Sequence, residues 1–134
     1  MDTTPEYIKM CDAAEEIHAI SHLHQDRTDY WYCGNCLVSD RLHALEVHKT
    51  ACKKWWGVWL PQQDDLQEMW AIHEYGNERA NNWTTFVLDQ FSYWVLSGEA
   101  GLSTLDVSME QLWLAFVMKE LHNKVWNGTD WIVK

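Results

Sequence analysis

Four residues in this 134-residue chain combine the right types and spacing to do chemistry together: Cys33, Cys36, His48 and Cys52. Two residues separate the first pair, eleven separate Cys36 from His48, and three separate His48 from Cys52. Gly34-Asn35 gives the first pair a tight turn, which lets two thiolates face one ion. His48 and Cys52 are four positions apart, so on a helix they project from one face. Three sulfurs and one imidazole close a tetrahedron around zinc and leave no coordination position open, as in a structural site. The competing explanation is four reduced, buried cysteines acting as small hydrophobes. The fourfold spacing favours the metal.

The stretch from Trp31 to Lys54 resembles the ββα zinc finger in its Cys-Cys-His-Cys variant. The aromatic pair Trp31-Tyr32 precedes Cys33, and Leu45 stands three residues before His48, where that finger keeps a core leucine. The gap from Cys36 to His48 is one residue shorter than in the common DNA-reading finger. Val38 or Leu42 must fill the place where that finger carries an aromatic. The shorter gap also matches ubiquitin-binding fingers of DNA-repair proteins, but their acidic residue after the histidine is here Thr50. The resemblance implies a structural zinc held by Cys33, Cys36, His48 and Cys52, and it covers about a sixth of the chain.

These ligands need a hairpin and a helix to place them. A short hairpin is expected around Cys33–Cys36, then a helix capped by Ser39 or Asp40 and running to about Lys53. On that helix the base-reading positions would be Arg41, Ala44 and Val47. Of these, only Arg41 could make a bidentate contact to a base edge. His43, five residues before His48, is off the ligand face. The run KKWWGVWLP follows, with Gly57 and Pro61 as breakers. Its Trp55, Trp56 and Trp59 either plug the finger onto the body, the favoured reading, or form an exposed aromatic ridge for binding.

Around this module the periodicity predicts helices. Pro5–His24 reads as the first, with Thr3 or Thr4 as cap and Tyr7, Met10, Cys11, Ala14, Ile17 and His18 as its apolar stripe. Cys11, His18 and His22 on one side of it could make a second metal site, although a core Cys11 is the better reading. Gln62–Arg79 is next, with Leu66, Met69, Trp70 and His73 inward and Asp64, Asp65 and Glu68 near its N-terminus. After a break at Asn81-Asn82, Trp83–Leu96 buries Val87, Phe91, Trp94 and Val95 and stops at Ser97-Gly98. The last helix is expected from about Leu105 to Val125, capped by Ser103 or Thr104. Its face (Met109, Leu112, Trp113, Phe116, Val117, Leu121) is wide enough for a central position. Asn127-Gly128 is a turn signal, and Trp131–Val133 folds back as a strand. The expected fold is mainly α: a small helical bundle with a Trp-rich core and an inserted ββα-like zinc finger. Its divisions fall at 1–26 (N-terminal helix), 27–54 (finger) and 55–134 (helical body).

Charge narrows the function. The chain carries a net charge of −10 and ten tryptophans. Residues 1–26 hold one lysine against six acids, residues 27–54 five basic residues against three acids, and residues 55–134 four against eleven. Zinc on three thiolates would leave the finger near +1, by order-of-magnitude charge counting. Nucleic-acid affinity comes mostly from neutralising phosphates, and this chain would repel them. No apolar run reaches membrane-spanning length and no basic-then-apolar leader opens the chain, so a cytoplasmic location is expected. There is no helical His-Glu-x-x-His, no phosphate-cradling glycine loop and no Gly-x-Ser-x-Gly elbow, and a closed zinc site has no room for substrate. No enzyme activity is expected.

The function expected is that of a zinc-stabilised acidic module that binds another protein with a basic surface. By analogy it has the character of the small inhibitors with which phages block a basic groove of a host defence or transcription complex. The alternative is a zinc-finger nucleic-acid-binding regulator, which would need Arg27, Arg41, Lys49, Lys53 and Lys54 on one face.

Overall fold

A computed structural model describes residues 2–17, 30–32, 37–39, 58–76, 83–100, 102 and 106–134. The chain is mainly helical with an aromatic core, as the periodicity predicts. Two compact units emerge: residues Thr3–Pro61, and Met1–Asp2 together with Gln62–Lys134. The first of these units runs through Pro61, because the segment after Gly57 is a strand in its sheet.

That first unit combines a helix and a three-stranded sheet. Helix α1 spans Pro5–Asp12, and the Thr4 hydroxyl accepts the Tyr7 N–H at 3.3 Å. Proline in the first turn loses nothing there, since that N–H has no helical acceptor. The helix ends well before the expected His24. Ala14 bonds back to the Cys11 carbonyl three residues earlier, a tightened last turn, and helical backbone resumes at residues 15–17. Neither glycine nor proline marks this interruption. Tyr7, Met10, Cys11, Ala14 and Ile17 are nevertheless all buried, as the stripe requires. His18 to His24 lie outside the described residues.

Strands β1 (Tyr30–Tyr32) and β2 (Leu37–Ser39) pair antiparallel with Tyr32 opposite Leu37. This is the expected hairpin. The unexpected element is β3 (Val58–Leu60), which pairs antiparallel with the other edge of β1, Trp31 opposite Trp59. The KKWWGVWLP run therefore ends as sheet. Three residues are too few for a period to reveal them. Helix α1 lies against β3, and the Tyr7 hydroxyl donates to the Pro61 carbonyl at 2.5 Å.

The second unit is a three-helix arrangement closed by a hairpin. Helix α2 spans Gln63–Tyr75, and the Asp65 carboxylate accepts the Gln62 N–H at 2.8 Å across its first turn. Leu66, Met69 and Trp70 are buried, but His73 is exposed, which corrects its place on the inward stripe. The helix stops at Gly76 rather than at Arg79. Gly76 has φ 64° and ψ −158°, a conformation essentially reserved for glycine. Helix α3 spans Trp83–Leu96 with Val87, Phe91 and Trp94 buried.

Helix α4 spans Met109–His122, starting later and ending earlier than expected. Ser108 caps it, its hydroxyl accepting the Gln111 N–H at 3.1 Å. Asn123, at φ 53°, is the left-handed C-cap that turns the chain from helix to strand. Eight consecutive residues of α4, Gln111 to Met118, are buried. Such a helix is covered on every side, so its central position stands. It packs against α2, α3 and strand β4 (Lys124–Trp126). Strand β5 (Trp131–Val133) folds back on β4 as expected, and Asn127 Oδ1 accepts the N–H groups of Thr129 and Asp130 at 2.8 Å each. Gly128 takes φ 94° in this turn.

The core is aromatic because α4 presents rings to both neighbouring helices. Phe91 stacks on Trp113 with centroids 3.9 Å apart and planes 7° apart. Phe116 meets Trp70, Phe91, Trp94 and Trp113 at 5.4–5.6 Å. Offset stacking and edge-to-face contacts each add about 0.5–1.5 kcal/mol beyond burial. The Nε1 atoms of Trp70, Trp94 and Trp113 are buried without an acceptor among the described residues, an opposing cost.

Candidate functional site

Strands β1 and β2 flank two of the expected zinc ligands, Cys33 and Cys36, in the sequence. Because Tyr32 pairs with Leu37, the four residues Cys33 to Cys36 are the whole connection between β1 and β2. A four-residue hairpin connection is where a Cys-x-x-Cys pair belongs in the finger that the sequence resembles. Cys33, Cys36, His48 and Cys52 themselves lie outside the described residues, as do Arg41, Trp55 and Trp56. The second site weighed for Cys11, His18 and His22 falls partly outside them. Its described member, Cys11, is 2 % exposed on the inward face of α1. Among the described residues no group of three or more His, Cys, Asp or Glu side chains could hold a metal ion.

Of the three tryptophans in the KKWWGVWLP run, Trp59 alone is described. It is 1 % exposed on β3. A side chain so enclosed offers nothing to a partner, so Trp59 is core and not a binding residue. The reason is local: β3 pairs onto β1 and lies against α1, so the run after Gly57 is enclosed. Trp70, Trp94, Trp113, Trp126 and Trp131 are buried as well. No tryptophan whose side chain is described stands on the surface.

The surface features that the periodicity underplayed are on the helical unit. Asp64, Glu74, Asp89, Glu99, Asp106, Glu120 and Asp130 are exposed, and Lys134 is the one exposed lysine or arginine among its described residues, with His73 exposed as well. The acids in adjacent positions diverge: Asp64 faces out and Asp65 is 4 % exposed, capping its own helix. They do not form a paired-carboxylate site. Phe86, Tyr93 and Leu96 on α3 are 51 %, 73 % and 85 % exposed. Helical phase could have found them, because α3 is apolar on more than the face it buries. No described helix is long and apolar enough to cross a membrane. No protein-family model, curated protein or solved structure matches the chain.

Proposed function

We propose that the chain is an acidic protein-binding module stabilised by structural zinc, acting in the cytoplasm to occupy a basic groove of a nucleic-acid-handling complex, as a phage-type inhibitor would. The observation that carries the reading is the exposed charge of the helical unit: seven outward carboxylates against one outward lysine among its described residues. A rigid aromatic core beneath them fixes their spacing, so the surface presents negative charge as a duplex presents phosphates. Zinc enters through Cys33, Cys36, His48 and Cys52. The described hairpin supports it, because β1 and β2 end on either side of the Cys33–Cys36 connection. Zinc would tie down a segment too short to build its own core. The function requires no catalytic step.

The test is retention of partners from a lysate of the native host on the immobilised full-length chain. Proteins released by added duplex DNA are expected, since DNA and the chain would compete for one basic groove. Retention that DNA leaves untouched would count against the reading. Direct binding of DNA by the chain, falling steeply with salt, would instead favour the nucleic-acid-binding regulator.

A further inference from the structure

The helical unit leaves one apolar strip uncovered. Phe86 and Tyr93 are seven residues apart on α3, two turns, and therefore share a face. Leu96 follows one turn beyond Tyr93. At the start of the strip the Phe86 ring lies 6.1 Å from that of Tyr75 in the last turn of α2. Ile72, one turn back, is 43 % exposed. Scattered exposed apolar residues are ordinary on a protein surface. A row of them spanning two helices, with the exposed Asp89 set between Phe86 and Tyr93, is the kind that marks a contact site.

Its electrical setting says what would cover it. Helices α2 and α3 contain no lysine and no arginine. Glu74 is exposed beside Tyr75, and Asp89 is exposed on the turn between Phe86 and Tyr93. The last turn of α3 carries no basic residue, and its Tyr93, Trp94 and Val95 carbonyls accept hydrogen bonds from Ser97 and Gly98. Glu99 is exposed just beyond. A strip of rings and aliphatic carbon bordered on this pattern matches side chains that pair an apolar body with positive charge. A second copy of the chain fits poorly, because a two-fold contact on the strip would set the same acids against each other.

We propose that this strip docks a basic amphipathic helix of another protein. The partner's apolar face covers Ile72, Phe86, Tyr93 and Leu96, and its Lys or Arg side chains reach Glu74 and Asp89. Anchors one and two turns apart on α3 suit a helix laid along it. The inference rests on the reading that the chain binds a basic protein, and it names the surface that does so.

Calorimetric titration of the full-length chain decides it. The probe is a helical peptide of about 18 residues, roughly five turns, with leucines along one face and lysines along the other. The comparison is a peptide of identical composition with that pattern scrambled. The patterned peptide is expected to bind about tenfold or more tightly than the scrambled one. Phe86→Ala, and separately Tyr93→Ala with Leu96→Ala, should each weaken it by about tenfold. These side chains face solvent, and circular dichroism melting confirms the variants fold. Asp89→Lys should weaken binding and flatten its dependence on salt between about 50 and about 300 mM. Equal binding of both peptides overturns the proposal, as do folded variants with unchanged affinity. A wild-type dimer that Phe86→Ala converts to monomer assigns the strip to a second copy and also overturns it. If the patterned peptide fails while DNA-displaceable proteins are still retained, the surface assignment falls and the functional reading stands. If the peptide binds in the variant-sensitive way but no such proteins are retained, the functional reading falls and the surface stands.

Discussion

Asp2 shows how much one side chain near the start of the chain can hold. Its carboxylate, 7 % exposed, accepts from the Ser108 hydroxyl at 2.5 Å and from Gln111 Nε2 at 2.8 Å. Ser108 at the same time caps α4. Hydrogen bonds to a charged group are worth more than neutral ones, and a buried donor left without its acceptor carries a penalty. Asp2→Ala is therefore expected to destabilise the helical unit by about 1–3 kcal/mol. Urea unfolding followed by tryptophan fluorescence measures this, and an unchanged midpoint would show the contact to be incidental. The sequence hid this residue because its partners are more than a hundred positions away. Nearer signals were readable. Thr4 before Pro5 and Asn127-Gly128 both announced the local geometry found. Gly76 was missed because the helical pattern runs on past it to Arg79, and a glycine inside such a pattern is easily passed over as tolerated.

Among the elements, the helices, the first hairpin and β5 were legible, and β3 and β4 were not. Helix α3 has the bounds that its apolar spacing predicts, since Val87, Phe91 and Trp94 recur at three and four. Strand β3 was read as a hinge because three residues cannot display an alternating period. Its pairing with β1 is a long-range event that only the folded sheet reveals. Where α4 packs on α3, the stack of Phe91 on Trp113 is the closest ring contact among the described residues. Phe91→Ala removes that ring and leaves a cavity among Trp94, Trp113 and Phe116, at an expected cost of about 3–5 kcal/mol. Loss of near-ultraviolet circular dichroism together with a lower unfolding midpoint would record it. A cost below about 1 kcal/mol would mean that the neighbouring rings close the gap.

At the scale of the molecule, two units with separate cores set the expectation for metal. The candidate ligands Cys33, Cys36, His48 and Cys52 all belong to residues 3–61. Purified wild-type chain is expected to hold about one zinc per molecule, and Cys36→Ser or Cys52→Ser to lose it. The helical signal of residues 62–134 should persist in both variants, because its aromatic cluster uses no residue of the metal site. Elemental analysis of the purified variants measures the first outcome and far-ultraviolet circular dichroism the second. Full zinc occupancy in either variant would remove the assignment. Charge was the whole-molecule property most readable in advance, because it is additive along the chain. Which carboxylates point outward was not readable, and Asp64 beside Asp65 shows why: adjacent acids on one helix ended on opposite sides of the surface.

The unbroken burial from Gln111 to Met118 has a practical consequence for anyone mapping contacts by mutation. Within those eight positions no residue is more than 7 % exposed, so lost binding after a change there reports a damaged scaffold and not a lost handshake. Residues that can report recognition directly must be sought on the outer helices.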